Sequence, residues 1–311
     1  MSQTLDNLDK YLSASPEQDI HLHPNYTLRI KRDDLIHPEI SGNKARKLKY
    51  NILKALDSGC DSLLTFGGAF SNHLVATAKA AQLINFKSIG IIRGNYVDEQ
   101  NPSLAYANQC GMQLIPVPIT EYNERNNYAY HDQLKLEFPN AHIIPEGGSN
   151  FEGVSGTMEI VKELNFEYDF ICCAVGTGTT AAGLILSKPS STKIICLNNF
   201  KNSLGIREMI NQKINLVINN ADTINEYQND FEIIDGYGFG GYAKVNDELK
   251  NFAKEIYAKH QLPLDLVYTA KAFYGLNKMM EKGEIKKGSK ILFYHSGGLQ
   301  GNRGFGFDQN K

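Results

Sequence analysis

The sequence predicts an α/β protein with two doubly wound, mostly parallel open sheets. Short apolar runs, each typical of a strand buried on both faces, alternate along the 311 residues with segments of helical period. Such alternation indicates parallel strands joined by crossover helices. Because there are seven such runs, we expect two sheets, and a chain of this length has room for about two domains.

The predicted elements follow one another in a regular order. The strands are SLLTF (62–66), SIGIIR (88–93), QLIPVP (113–118), HIIP (142–145), FICCAV (170–175), KIICL (193–197) and ILFYH (291–295). Helical patterns begin after residue 42 and cover 73–84, 101–111 and 154–164. The polar, weakly patterned stretch 215–229 indicates a surface excursion.

Composition excludes several classes of partner. The 32 Lys and Arg nearly balance the 34 Asp and Glu, so we expect neither nucleic acid nor a membrane surface as partner. The five cysteines include no C-x-x-C pair, and Cys172, Cys173 and Cys196 lie in apolar strands, so we expect neither disulfides nor a metal site. Residues 1–18 lack the apolar core of a secretion signal, and no run approaches about 18 apolar residues. These features predict a cytoplasmic protein.

The helix after Gly42 contains the first candidate for chemistry. Its apolar stripe consists of Ala45, Leu48, Ile52, Ala55 and Leu56. Arg46 and Lys47 are expected to face solvent, whereas Lys44 and Lys49 flank the stripe, and periodicity alone does not choose between these two. Lys44 differs because it lies in the first turn beside loop backbone, where its amine can project into a cleft. A solvated charge is nevertheless the commoner role of a single lysine.

A glycine-rich turn at 67–73 precedes the next helix. Ser71 is suited to cap that helix, which is a structural role. Alternatively, the turn points free N–H groups at an anion such as a carboxylate. The residues favour neither interpretation. His73 is a candidate base, although a histidine beside a cap is more often a polar residue with its hydrogen bonds satisfied.

The segment AVGTGTTAAG follows a predicted strand and begins a helix, a position suited to a phosphate. Its donors are Gly176, Thr177, Gly178, Thr179 and Thr180. The segment also matches the dinucleotide pattern G-x-G-x-x-A, but the next strand ends in KIICLNNF without the acidic residue that would bind a ribose. A single phosphate therefore fits better. Two more Gly-Gly turns, EGGSN (146–150) and YHSGGLQG (294–301), favour a cofactor cleft.

In this order, the segments resemble pyridoxal-phosphate enzymes with the tryptophan synthase β-subunit fold (fold type II). Within them, the sequence is similar to the family of D-cysteine desulfhydrase and 1-aminocyclopropane-1-carboxylate deaminase. The matching segments are SGNKARKLKY, SNH, EGGSN, GTGTT, GYAKVND, LDLVYTAKA and HSGGLQG, which extend from residue 41 to 301. The resemblance implies a large domain (1–50 and 160–311), an inserted small α/β domain (51–159) and a homodimer that acts on a small amino acid.

The resemblance also assigns roles to residues of this chain. Lys44 becomes the lysine that binds pyridoxal phosphate covalently, Asn72 the partner of its 3′-oxygen, and Ser296 the neighbour of its ring nitrogen. Residues 176–180 become the phosphate loop. The implied catalytic residues are Lys44, Ser71, Tyr242 and Tyr268, and the implied substrate-binding residues are Ser71, Asn72, His73 and Thr269.

Departures from the family pattern bear on the substrate. Phe70 and Val75 replace a polar and a basic residue beside the carboxylate turn, which is therefore expected to rely on backbone N–H groups and Asn72. Thr269 and Ser296 stand where the cyclopropane-opening branch has Glu and Leu. We therefore expect a desulfhydrase that converts D-cysteine to pyruvate, ammonia and sulfide. The alternatives are deamination of 1-aminocyclopropane-1-carboxylate to 2-ketobutyrate and ammonia, or binding of the cofactor without catalysis.

Overall fold

The computed structural model describes residues 14–200, 205–220 and 223–309. Its strands are β1 (Glu17–Ile20), β2 (Thr27–Arg32), β3 (Ser62–Gly67), β4 (Lys87–Arg93), β5 (Met112–Val117), β6 (Ala141–Ile144), β7 (Phe170–Val175), β8 (Lys193–Asn198), β9 (Phe231–Ile234) and β10 (Lys290–His295). Its α-helices are α1 (Asn43–Asp57), α2 (Asn72–Leu83), α3 (Pro102–Gln109), α4 (Ile119–Tyr122), α5 (Tyr128–Glu137), α6 (Phe151–Lys162), α7 (Thr179–Ser187), α8 (Ile206–Ile218), α9 (Asp247–His260) and α10 (Thr269–Lys282). Short 3₁₀-helices cover Asp33–Leu35, Asn123–Asn126, Thr223–Tyr227 and Leu299–Phe305.

The strands form two open sheets, as the alternating pattern predicts. The larger has the order β1-β2-β10-β7-β8-β9, and only β1 runs antiparallel to its neighbour. The smaller, β5-β4-β3-β6, is parallel throughout. The sequence analysis missed the short strands β1 and β9 and the strand β2. It was wrong to expect β5 buried on both faces, because β5 lies at a sheet edge and is partly exposed.

Helices cover both faces of the larger sheet. Alternate side chains of a strand point to opposite faces, so Cys172 packs with α9 and α10 while Cys173 packs with α6, α7 and α8. Both thiols are buried, as predicted, and the five cysteines are all free.

The stretch 215–229 was expected to be a surface excursion, but α8 continues to Ile218. Val217 and Ile218, within that stretch, pack against the core on this face of the sheet.

The smaller sheet packs against α1, which also approaches the larger sheet. The stripe predicted on α1 is confirmed, because Ala45, Leu48, Ile52 and Ala55 join the core formed with β3, β6 and α2. All strands of the smaller sheet lie between residues 62 and 144. The two-domain division itself stays a prediction. Its predicted boundaries fall inside the helices α1 and α6. Residues 1–13, which include most of the segment assessed for a secretion signal, lie outside the described residues.

Arg46 and Lys47 are buried, so the expectation that they face solvent was wrong. Only 4% of Arg46 and 3% of Lys47 is exposed. Arg46 donates to Asp33 at 2.9 and 3.0 Å and also pairs with Glu163, just beyond α6. A helical wheel treats α1 as if it had one covered face, whereas α6 covers the polar side as well.

Among the helices of the described residues, none combines the length and apolar character needed to cross a membrane. The same residues contain no cluster of His, Cys, Asp or Glu side chains arranged to hold a metal ion.

Candidate active site

The N-terminus of α1 lies directly against the Gly-Gly turn that follows β10. The Asn43 N–H donates to the Ser296 carbonyl at 3.1 Å. Gly42 has a φ of +68°, and a Cβ on it would lie only 1.8 Å from the same carbonyl oxygen. This close approach brings Lys44 and Ser296, which are far apart in the sequence, to the same place.

The environment of Lys44 differs from that of Lys49. Burial lowers the pKa of Lys44 to about 8, although the charge of Asp265 acts in the opposite direction. The Lys44 amine donates to the Asn43 side chain at 2.7 Å. Lys49 instead forms an ion pair with Glu159 at 2.9 Å and is partly exposed. The geometry therefore favours Lys44 as the reactive amine, a choice that periodicity left open.

The loop after β7 presents hydrogen-bond donors at the start of α7. No side chain caps this helix, because its N-cap is Gly178. The Thr177 and Thr179 hydroxyls lie 3.0 Å apart, and Thr179 donates to Ser149 of the EGGSN turn at 3.1 Å. Asn43 reaches the same loop by donating to the Thr180 hydroxyl at 2.9 Å. Free N–H groups at a helix N-terminus together with hydroxyls form an anion-binding site.

Lys47 is a candidate site residue that the sequence analysis missed. Its amine donates to the Gly147 carbonyl at 3.0 Å, and a Cβ on Gly147 would lie 3.0 Å from the Thr177 methyl group. Burial and the nearby Lys44 charge hold the pKa of Lys47 well below its usual range. Within the described residues no carboxylate pairs with it. The spacing of three residues from Lys44, which puts both on one side of a helix, was the signal available in the sequence.

The Ser71–His73 turn combines a cap with unsatisfied polar atoms. Ser71 accepts from the Leu74 N–H at 3.3 Å, which confirms its capping role. Asn72 donates to the Gly298 carbonyl at 3.4 Å, but its buried Oδ1 has no hydrogen-bond partner among the described residues. The same is true of both ring nitrogens of His73. Burial and two neighbouring lysines hold the pKa of His73 well below its usual range. The expectation of a satisfied histidine was therefore wrong.

Arg93 places a cation beside this turn that the motif comparison did not predict. It ends β4, and its Nη2 would lie 3.4 Å from a Cβ on Gly68. Val75, where the family pattern has a basic residue, is buried. Phe70 is 53% exposed and lies over Gly304. The turn therefore has a guanidinium near it, supplied by a different strand, in addition to the backbone N–H groups.

The two predicted tyrosines lie together. The Tyr242 and Tyr268 rings are 5.9 Å apart in an edge-on arrangement. Tyr268 faces the phosphate loop, since its ring would lie 3.4 Å from a Cβ on Gly176. Burial, with further contributions from Tyr242, raises the pKa of Tyr268 well above its usual range, so its phenol stays protonated.

Thr269 lies behind these tyrosines. It is fully buried, and its hydroxyl donates to the Asp265 carboxylate at 2.7 Å. Asp265 also accepts from the backbone N–H groups of Val267, Tyr268 and Thr269. Asp265, which the sequence analysis missed, thus anchors the start of α10, and a substrate contact by Thr269 remains a prediction.

A half-buried lysine beside an uncapped glycine-rich turn, between two open and mostly parallel sheets, is the arrangement of a pyridoxal-phosphate enzyme of fold type II. The family model described as "Pyridoxal-phosphate dependent enzyme" matches residues 14–297.

Individual relatives narrow the class. A provisionally named 1-aminocyclopropane-1-carboxylate deaminase of Pyrococcus abyssi is 33% identical over 288 residues, which cover 88% of this chain and 84% of the relative. A mitochondrial bifunctional D-cysteine desulfhydrase/1-aminocyclopropane-1-carboxylate deaminase of Arabidopsis thaliana is 31% identical, covering 89% and 74%. The crystal structure of an ACC deaminase homologue superimposes with a TM-score of 0.78 at 27% identity, covering 98% of both chains. The chain belongs to the 1-aminocyclopropane-1-carboxylate deaminase/D-cysteine desulfhydrase family of pyridoxal-phosphate enzymes.

Proposed function

We propose that this protein is a lyase that converts D-cysteine and water to pyruvate, ammonia and hydrogen sulfide. The observation that supports this choice is the residue after Tyr268. The cyclopropane-opening branch has a Glu there, whereas Thr269 is neutral and its hydroxyl is bonded to Asp265. Ser296 likewise offers a hydroxyl instead of Leu at the turn after β10.

The residues of the site fit pyridoxal phosphate. The uncapped N-terminus of α7 and the Thr177 and Thr179 hydroxyls would hold the phosphate. Lys47, a buried amine without a carboxylate partner among the described residues, would gain an anionic neighbour there. Asn72 would bind the ring oxygen, and its unpartnered Oδ1 marks a buried polar position that a bound group could satisfy.

The chain's own residues would bind the substrate and move its protons. Bound pyridoxal phosphate supplies the electron sink for the electrons released at the substrate Cα. Lys44, with a pKa of about 8, is neutral often enough near that pH to take the Cα proton. Tyr268, which burial keeps protonated, can donate a proton to the departing sulfur. Tyr242, which is 54% exposed and whose ring meets that of Tyr268 edge-on, would act on the substrate together with Tyr268.

The substrate carboxylate would bind at the turn that precedes α2. Its donors are the backbone N–H groups near Ser71 and the Asn72 amide, and Arg93 adds a positive charge from β4. A carboxylate is attracted both to that charge and to the N-terminus of α2. Ground-state binding is expected to be weaker than with the Arg that the family pattern places at position 75, because Arg93 is largely exposed to solvent.

A second candidate is deamination of 1-aminocyclopropane-1-carboxylate, the activity for which the relatives are named. A third, suggested by Phe70 and Val75, is cofactor binding without catalysis. Sulfide and 2-ketoacid release should be measured with D-cysteine, L-cysteine and 1-aminocyclopropane-1-carboxylate, with Lys44→Ala as the inactive control. Sulfide and pyruvate from D-cysteine support the proposal. Robust 2-ketobutyrate formation promotes the second candidate, and no product from a cofactor-loaded protein promotes the third.

A homodimer in a reducing compartment such as the cytoplasm completes the proposal. The five free thiols are compatible with such a compartment. The dimer rests on the family resemblance, and light scattering of the purified protein tests it. A monomeric mass at micromolar concentration would contradict it.

A further inference from the structure

Lys271 is a fully buried lysine of the LDLVYTAKA segment, and no role in the site has been assigned to it. It lies in the first turn of α10, three residues after Tyr268. Its amine donates to the Gly238 carbonyl at 2.9 Å and to the Gly241 carbonyl at 2.7 Å. A buried ammonium costs free energy unless it is hydrogen-bonded, so this position calls for an explanation.

The two carbonyls belong to the loop that carries Tyr242. This loop connects β9 to α9, and Gly241 directly precedes the tyrosine. Two of its non-glycine residues, Phe239 and Ala243, have φ values of +51° and +55°. Such residues rarely adopt positive φ unless the surroundings hold them there. The loop therefore depends on contacts from outside itself to keep this shape.

Tyr242 is the exposed aromatic residue of this loop. Its ring stacks on Phe200 at 6.1 Å and meets Tyr268 edge-on at 5.9 Å. Without the buried amine, the carbonyls on either side of Phe239 and Gly240 would lose their shared donor. The phenol opposite Tyr268 would then be held by its two ring contacts, by the contact of the Phe239 ring with Tyr274, and by hydrogen bonds within the loop itself.

We propose that Lys271 is a positioning residue that holds the Tyr242 phenol opposite Tyr268 by binding both loop carbonyls. This inference rests on the proposed function, in which Tyr242 acts on the substrate. The start of α10 then positions both tyrosines. Tyr268 directly precedes the helix, and Lys271 in the first turn holds the loop that carries Tyr242. Asp265 supports both. It accepts from the backbone N–H groups that begin the helix, and its negative charge partly offsets the effect of burial, which lowers the pKa of Lys271 to about 8.

Hydrogen exchange of the loop tests the contact without any need for catalysis. Lys271→Met removes the donors and keeps most of the apolar stem, and Lys278→Met changes a surface lysine of the same helix. Amide exchange in residues 238–243 should become roughly 100-fold faster in Lys271→Met, because two charge-assisted hydrogen bonds are lost, and stay unchanged in Lys278→Met. Unchanged loop exchange in Lys271→Met would overturn the proposal.

A double-variant comparison tests whether Lys271 acts through Tyr242. Lys271→Met should lower kcat roughly 10-fold or more and leave KM and the absorbance of the bound cofactor nearly unchanged. Combined with Tyr242→Phe, it should lower kcat no further than Tyr242→Phe alone. Additive losses would overturn the proposal, since they would mean that Lys271 acts on something other than this phenol.

A second variant and the exchange measurement cover the cases in which Lys271→Met does not fold or the protein shows no activity. If Lys271→Met does not fold, Lys271→Gln, which retains a shorter donor, should show the same pattern at smaller size. If both variants fail to fold, the assignment is overturned, because Lys271 would then support the whole fold and not one loop. If the unmodified protein releases no product from D-cysteine, the proposed function fails, while the exchange measurement still decides on the contact.

Discussion

Replacing Gly42 by Ala tests how closely the start of α1 must approach the turn after β10. The new Cβ would lie 1.8 Å from the Ser296 carbonyl oxygen. Reaching ordinary van der Waals separation requires these groups to move apart by roughly 1.5 to 2 Å. The φ of +68° adds strain for any residue with a Cβ. Because Lys44 is two residues away, the same displacement moves the proposed reactive amine relative to residues 176–180, the proposed phosphate loop.

A matched control separates the clash from the backbone strain. Gly59, just after the other end of α1, has nearly the same φ of +71°, and a Cβ there would meet nothing within 4 Å. Gly59→Ala should cost only the positive-φ term, about 1–2 kcal/mol of unfolding free energy. Gly42→Ala should cost at least that amount, because its ψ of −148° also disfavours a residue with a Cβ, plus about 1–3 kcal/mol for overpacking. The effect of Ala on the unfolded chain is the same in both variants and cancels.

Urea unfolding measures the loss of stability, and turnover measures the displacement of Lys44. We expect a lower unfolding midpoint for Gly42→Ala than for Gly59→Ala, with similar slopes. Turnover should fall about 100-fold in Gly42→Ala, since a displacement near 1 Å is enough for that loss, and stay near normal in Gly59→Ala. Equal midpoints and equal turnover in the two variants would refute the reasoning, because the close approach at Gly42 would then have no consequence.

Four further outcomes concern the cofactor and Tyr268. Borohydride reduction of the holoenzyme should label Lys44 and not Lys49. Covalent capture of cofactor by the apoprotein should speed up as pH rises through about 8, since only the neutral amine reacts, and a midpoint near 10.5 would contradict the burial argument. Thr179→Glu should weaken cofactor affinity at least roughly 100-fold, because a carboxylate about 4 Å from a phosphate is repelled by about 4 kcal/mol per charge, whereas Ser191→Glu, on an exposed turn, should not. Tyr268→Phe should lower turnover roughly 100-fold or more with unchanged cofactor absorbance, and a shifted spectrum would place the phenol on the cofactor instead.

The fold and the turns were predictable because they depend on local patterns. Apolar runs and helical periods are properties of single elements, so the two parallel sheets and the stripe on α1 follow from them. The cap by Ser71 is also local, since it needs only residues 71 to 74. The family motifs also predicted the order in which the glycine-rich turns follow one another along the chain.

The burial of charged groups was not predictable in the same way. Arg46 is enclosed by Asp33, which follows β2, and by Glu163, which follows α6, and no pattern within α1 reports those partners. Asp265 and Lys271 flank the predicted Tyr268, yet, apart from the Thr269 hydroxyl, their hydrogen-bond partners are backbone groups that have no sequence signature. Such contacts depend on how distant segments meet, which periodicity does not encode.

The helix α1 starts at the larger sheet and buries its apolar stripe against the smaller one. A change in its tilt therefore moves its N-terminus relative to the larger sheet. A helix of 15 residues is about 22 Å long, so a tilt of about 5° around its far end displaces the Lys44 backbone by roughly 2 Å. Side chains packed between α1 and the smaller sheet, such as Ile52 of the helix and Ile144 of β6, therefore set the tilt of α1. Amino-acid changes there, far from any reacting atom, are expected to show up as altered turnover before they show up as loss of the folded state.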